Sequence, residues 1–200
     1  MDAAAWDERY AAAELLWSAG PNRFVAEYVE AELPDAGPGL TALDLAAGEG
    51  RNAVWLAERG WDVTAVDFSA VALERAAEAA ERRGVALRTR VADLLAFAPE
   101  PSSFDLVLVS YLHLPAEAMR GVLGRAAEAV RPGGRFFLVG HADTNLTEGH
   151  GGPQDPSVLH SPEADAALLA PPLTVTRAER VRRETADGHT AIDTLVTAHR

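Results

Sequence analysis

Three carboxylates and a glycine-bearing loop carry the most chemistry in this sequence. Asp44 stands in an apolar run, Leu43-Asp44-Leu45, that opens into Ala46-Ala47-Gly48-Glu49-Gly50. Gly48 and Gly50 allow a sharp turn whose amides approach a ligand, and the N-terminus of the helix expected to follow favours negative charge. Asp67 closes the next apolar run, Val63-Thr64-Ala65-Val66, where a carboxylate can accept both hydroxyls of a ribose. The pattern predicts a nucleoside-containing cofactor. A second group follows later in the chain: Ser110-Tyr111-Leu112-His113 after a fourth apolar run, and His141 after a fifth. The C-terminal ends of strands are where open α/β sheets hold ligands, so Tyr111, His113 and His141 are the candidate catalytic residues, the two histidines as general bases and Tyr111 shaping the pocket.

The elements that must position these groups alternate between short apolar runs and alanine-rich helical patterns, the mark of a parallel α/β sheet. Strands are expected at about residues 42–45, 62–66, 86–91, 105–110 and 135–139. Helices are expected at 52–59, stopped by Gly60, at 71–83, with Ser69 as N-cap and Gly84 past its end, and at 116–130. Arg131-Pro132-Gly133-Gly134 reads as a turn delivering the chain into the fifth strand. Residues 142–172 are rich in Gly, Pro, His, Asp and Asn and read as a lid with one helix, 162–169. Residues 173–184 and 190–199 alternate around Asp187-Gly188 and predict a closing antiparallel hairpin.

With 200 residues and 48% hydrophobic composition the chain can bury one sizeable core. The expected organisation is one domain over residues 1–200: an N-terminal helical cap (1–40), a cofactor-binding core (41–141), the lid (142–172) and the hairpin (173–200). A net charge of −12 disfavours a general nucleic-acid binder, because tracking phosphates needs a basic excess. The absence of cysteine removes disulfides, thiolate metal sites and cysteine nucleophiles. The opening residues carry no basic n-region and no apolar run reaches membrane-spanning length, so the expected location is cytoplasmic, with no membrane partner. Asp143, Asn145, His150 and His160 add polar groups in the lid. The spacings from His141 to His150 and His160 match no tight helical ligand pair, so no metal is expected.

Asp44 to Gly50, followed in order by Asp67, Asp93-Leu94, Phe104-Asp105-Leu106-Val107 and Arg131-Pro132-Gly133-Gly134, resembles the class I S-adenosylmethionine-dependent methyltransferases. The resemblance implies a Rossmann-like three-layer α/β sandwich around a seven-stranded, mostly parallel sheet with an antiparallel C-terminal hairpin. It implies S-adenosylmethionine as cofactor, held at Asp44, Ala46, Gly48, Gly50, Asp67, Phe68, Asp93, Leu94 and Ser110. In the family the residue matching Asp44 holds the cofactor's amino group, that matching Asp67 the ribose, and that matching Asp93 the adenine amine, with the Leu94 amide against the ring. Ala46 departs from the motif, which has glycine there.

Trp6, Tyr10, Trp17 and Arg23 lie in an aromatic opening segment similar to that of the tellurite-resistance and thiopurine-like small-molecule methyltransferases, where it folds over cofactor and substrate. Together with His113 and His141 these are the candidate substrate contacts, the alternative being a helix docked on the flank of the sheet. The expected reaction is in-line methyl transfer to a small-molecule acceptor, with S-adenosylhomocysteine as product and a monomer or homodimer as the acting form. Two other readings stand beside it. Gly48-Glu49-Gly50-Arg51-Asn52-Ala53 also satisfies the G-x-G-x-x-A fingerprint of an NAD-dependent reductase, although Asp44 would repel a pyrophosphate. The third reading is a cofactor-binding protein without catalysis.

Overall fold

The computed structural model describes residues 3–12, 20–33 and 38–200, which form parts of two compact units, Met1–Ala98 and Pro99–Arg200. Trp17 lies outside the described residues.

In the first unit β1 (Thr41–Leu45), β2 (Asp62–Asp67) and β3 (Arg88–Val91) run parallel in the order β3-β2-β1. Two right-sized helices make the crossovers: α3 (Arg51–Glu58) from β1 to β2 and α4 (Ala70–Arg82) from β2 to β3. Ala42, Leu43 and Leu45 of β1 are buried, as a strand covered on both faces requires. Ser69 Oγ caps α4 by accepting from the Ala72 amide at 3.1 Å, in the role its sequence position predicts. α1 (Ala3–Ala12) packs on α4, where Asp7 Oδ1 accepts from the Ser69 hydroxyl and the Val71 amide. α2 (Arg23–Glu32) is capped by Asn22, whose own amide donates to Asn52 Oδ1 of α3 at 2.8 Å.

The second unit orders its strands β4-β5-β7-β6, from β4 (Phe104–Ser110), β5 (Val130–His141), β6 (Thr174–Glu184) and β7 (Thr190–His199). β4 and β5 are parallel, joined through α5 (Ala116–Ala129), while β7 runs antiparallel to both of its neighbours. The seven strands are therefore mostly parallel with a closing antiparallel hairpin, the fold class the sequence predicts. Among the described residues no helix is long and apolar enough to cross a membrane.

Two local expectations change. β5 starts at Val130 rather than near residue 135, because Val130 pairs with Phe104 before a register shift brings Arg135 opposite Leu106. The expected turn, residues 131–134, is an excursion inside that strand. The lid holds more order than one helix: α6 (Asn145–Glu148), a 3₁₀ turn (Pro156–Val158) and α7 (Pro162–Leu169), with an isolated bridge between Ala142 and His160.

Gly50 begins α3 at φ +75°, and a Cβ there would stand 2.7 Å from the Ala76 Cβ of α4. Left-handed strain and overpacking each cost about 1–2 kcal/mol for an added methyl. Gly50→Ala is expected to lower the unfolding free energy by about 2–3 kcal/mol, read from urea denaturation followed by circular dichroism.

Candidate functional site

In the first unit the three parallel strands deliver the predicted carboxylates to their C-terminal ends. Asp67 accepts from the Gly48 amide at 2.8 Å through Oδ2 and from the Ser69 amide at 2.9 Å through Oδ1. It thus holds the loop after β1 and the turn after β2 together, and each carboxylate oxygen keeps lone-pair capacity for a further donor. Burial raises the Asp67 pKa, opposed by the amides it accepts from, with the negative charge of Asp7 adding to the rise. Asp44 is 1% exposed, and neither of its oxygens has a hydrogen-bond partner among the described residues. Burial pushes its carboxyl up to about 7, opposed by the Arg51 guanidinium, assisted by Asp67, and opposed also by the Ala53 amide, which lies near without making a well-formed hydrogen bond.

The loop between them is wound through left-handed backbone at Ala46 (φ +58°), Gly48 (φ +53°) and Gly50 (φ +75°). Ala46 therefore keeps the conformation glycine would favour, and its methyl group costs strain rather than changing the path. Glu49, also in the loop and buried, pairs with Arg75 of α4 at 2.9 Å. Phe68 is half-buried beside Asp67. Asp93 is exposed and its Oδ1 accepts from the Leu95 amide at 2.9 Å, so one oxygen closes a turn, while Leu94 is buried.

Of the N-terminal candidates, Tyr10 is 5% exposed and its ring lies 5.6 Å from that of half-buried Trp6, over which Arg9 sits. Arg23 is exposed and pairs with Glu27 on its own helix.

In the second unit the predicted Tyr111, His113 and His141 do come together. Ser110 ends β4, and Tyr111 follows it at φ +55°, a left-handed conformation that a bulky residue adopts only under constraint. The Tyr111 and His141 rings meet edge to face at 5.2 Å, and His113 stacks on His141 at 5.4 Å. His113 Nδ1 lies 3.1 Å from the Val158 carbonyl. A carbonyl only accepts, so Nδ1 carries the proton and Nε2, buried without a partner among the described residues, is a bare lone pair. Burial, reinforced by the neighbouring His160 and His141 and opposed by the Val158 carbonyl, pushes the His113 pKa down to about 3, so the ring is neutral.

Asp193 and Arg183 escaped the sequence reading, and His160, read there as a polar lid group, joins the cluster. Asp193, fully buried on β7, is opposite His141 in the β5–β7 register. Its Oδ2 accepts from the Tyr111 hydroxyl at 2.8 Å and from Arg183 Nε at 2.7 Å. Its Oδ1 is 3.3 Å from His141 Nδ1, within ion-pair range but out of hydrogen-bond alignment. The His141 pKa is lowered, chiefly by burial, with Asp193 opposing and Arg183 and His160 reinforcing. His160 is pinned at both ring nitrogens, by Asp165 at 2.9 Å and the Leu112 carbonyl at 2.8 Å. Both partners offer oxygen atoms, so the ring is fixed in orientation between Asp165 and Leu112. One signal for Asp193 was visible: a lone acid in the otherwise uncharged core of Thr190–His199.

Residues 42–134 match the family model described as a methyltransferase domain. Over that stretch the chain is similar to methyltransferase domains. Over 113 residues it is 34% identical to the tRNA 5-carboxymethoxyuridine methyltransferase of Escherichia coli K12, a match covering 54% of this chain and 42% of that protein. Across the curated relatives the matched part spans 32–48% of their length. Among solved structures it superposes on TehB from Haemophilus influenzae (TM-score 0.73, 18% identity, 90% of this chain and 62% of that one). It also superposes on the N-methyltransferase NodS from Bradyrhizobium japonicum in complex with S-adenosylhomocysteine (TM-score 0.72, 19% identity, 97% of each chain). At these identities the superpositions establish the fold.

The matched region contains acceptors that suit S-adenosylmethionine. An orphaned, fully buried carboxylate is costly in isolation and is matched by an ammonium group, as Asp44 would be by the cofactor's amino group. Asp67 keeps lone pairs for a diol. Asp44 also makes a test independent of turnover. Because its folded-state pKa is raised, the folded chain holds a proton that the unfolded chain releases, and stability falls as pH rises from about 4 to 7. Asp44→Asn is expected to make the cofactor-free chain more stable than wild type at pH 8, by an amount on the order of 2–4 kcal/mol. The difference should vanish near pH 4, as followed by denaturant unfolding across that range.

Proposed function

We propose that the chain transfers a methyl group from S-adenosylmethionine to a small-molecule acceptor. The observation that carries this reading is the Asp44 carboxylate, buried without a well-formed hydrogen bond at the entrance of a left-handed glycine loop, inside the stretch matched by a methyltransferase domain. The bound cofactor supplies a sulfonium-activated methyl group. Asp44 takes the ammonium, Asp67 the ribose diol, and Asp93 with the Leu94 amide the adenine. A dinucleotide reading is less well supported, since a pyrophosphate would have to approach the buried acid at Asp44.

For the acceptor, the reading rests on Tyr111, His113 and His141. In-line displacement asks the protein to align a nucleophile and exclude water. The bare Nε2 of His113 can accept a hydrogen bond from an O–H or N–H of the acceptor and so fix the direction of its lone pair. With a pKa near 3, His113 is a weak base, and its main contribution is alignment rather than prior ionisation of the acceptor. Tyr111, held by Asp193 and Arg183, offers a rigid aromatic wall. A small acceptor is supported by the charge pattern. Three of the four arginines of β6 are engaged by acids: Arg177 by Glu179, Arg180 by Asp143 and Glu163, Arg183 by Asp193.

Titration calorimetry with S-adenosylhomocysteine should show binding that Asp67→Ala weakens by about tenfold or more; binding of NAD alone would remove the reading. Given an acceptor found by screening phenols, amines, thiols and oxyanions, His113→Ala should lower kcat about 10–100-fold with the affinity for S-adenosylhomocysteine retained. Because His113 stays neutral above its depressed pKa, kcat for wild type should not fall between pH 8 and 5 through this residue. A His113-dependent loss with a midpoint near 6.5 would refute the assignment. Methylation of bulk tRNA in place of every small molecule would overturn the acceptor class.

A further inference from the structure

The hairpin tip and the lid bring together three metal-ligating side chains that no part of the proposed reaction uses: His150, Asp187 and His189. The two imidazoles stack in parallel, centroids 4.0 Å apart and planes 14° apart. Both address one carboxylate oxygen, His150 Nε2 at 3.3 Å and His189 Nδ1 at 3.2 Å from Asp187 Oδ2. Ligand bonds of about 2.0–2.2 Å in a tetrahedral zinc site place neighbouring ligand atoms roughly 3.3–3.5 Å apart. The two measured edges lie at or close to that spacing, and all three ligand atoms fall within 4.8 Å of one another.

The supporting shell is built as well. Asp187 Oδ1 accepts from the Thr185 hydroxyl, which leaves Oδ2 facing the imidazoles. Thr185 and His189 are tied across the turn, amide to carbonyl at 2.8 Å and His189 amide to Thr185 Oγ1 at 3.0 Å. On the lid side, Asn145 Nδ2 donates to the Gly151 carbonyl at 2.9 Å, and Asn145 Oδ1 accepts from the Ile192 amide at 2.7 Å. The backbone that carries His150 is therefore anchored on β7 next to it. Such outer contacts fix the orientation of ligands before an ion arrives. All three residues are exposed, so an ion reaches them from solvent and a water can complete the coordination.

We propose that His150, Asp187 and His189 form a binding site for a divalent zinc-class ion that clamps the lid to the β6–β7 hairpin. Two imidazoles and one carboxylate suit a borderline ion such as Zn²⁺ and leave an open position, whereas Mg²⁺ and Ca²⁺ call for all-oxygen shells. The clamp has a target. Two residues beyond His150, Gly152 at φ +76° lies so close to His141 that a Cβ would stand 2.8 Å from its ring. Fixing His150 thus fixes the segment that packs on the imidazole cluster.

The test is titration of the purified, chelator-stripped chain with ZnCl₂ by calorimetry, alongside the visible spectrum of the Co²⁺-loaded chain. One ion per chain and a tetrahedral cobalt spectrum are expected. His150→Ala and His189→Ala should each weaken binding about tenfold or more, and Asp187→Asn should do likewise, while His113→Ala retains wild-type affinity. Circular dichroism of each variant checks that the fold is kept, and all three positions are exposed. Zinc should also slow proteolysis at residues 149–152 in wild type but not in His150→Ala. Absence of saturable binding, or equal affinity in the His150→Ala/His189→Ala double variant, would overturn the site, and unchanged proteolysis would overturn the clamp. None of these readouts depends on methyl transfer.

Discussion

The first unit depends on one carboxylate that two backbone amides share. Asp67 reaches from the end of β2 to the Gly48 amide in the loop after β1 and to the Ser69 amide in its own turn. Hydrogen bonds to a charged acceptor contribute roughly 1.5–3 kcal/mol each, enough to offset the strain of about 1–2 kcal/mol that Ala46 incurs in left-handed backbone. The glycine loop is therefore held by a side chain from the neighbouring strand rather than by its own contacts. Ser69, positioned by that carboxylate, then caps α4 and receives Asp7 of α1. Loop, helix start and N-terminal helix all refer back to the same group.

The second unit concentrates its polar groups differently. Asp193 sits at the centre of a strand buried on both faces and gathers Tyr111 and Arg183 around one oxygen. His160, nearby in the same unit, is engaged at both ring nitrogens, while burial above all, reinforced by the neighbouring His160 and His141, keeps the His113 ring neutral. One imidazole is thus locked at both nitrogens and the one beside it keeps a bare nitrogen, which is how a cluster of like side chains acquires distinct roles.

Much of this was legible in the sequence where geometry is local. A strand, a loop and a helix in succession fix where Asp44, Gly48, Gly50 and Asp67 point, and the strand ends carrying Tyr111, His113 and His141 follow from the same alternation. Ser69 was readable as a cap because capping spans only three residues. What could not be read depends on long-range register. Asp193 meets His141 only because β7 runs antiparallel to β5, and His150 meets His189 only because the lid returns to the hairpin tip. The spacing of histidines along the chain shows no period for His150 and His189, because two distant turns bring them together. The early start of β5 was hidden by Pro132-Gly133-Gly134, residues that signal a turn and here form an excursion within a strand. Arg23, read as a substrate contact, has its charge engaged by Glu27, a pairing that the i,i+4 spacing makes available on any helix.

The strand order of the second unit also bears on how the chain is made. β6 pairs, among the described residues, only with β7, which follows it in the sequence and separates it from β5. During synthesis from the N-terminus, Thr174–Glu184 emerges with its hydrogen-bonding edges open and waits for its partner to be translated. An unpaired strand at that stage is a template for association with other chains. The run Thr174–Glu184 carries four arginines and two glutamates, which make such self-pairing unfavourable, and the apolar partner strand follows it. The charges that decorate this edge protect the nascent chain before they make any contact in the finished fold.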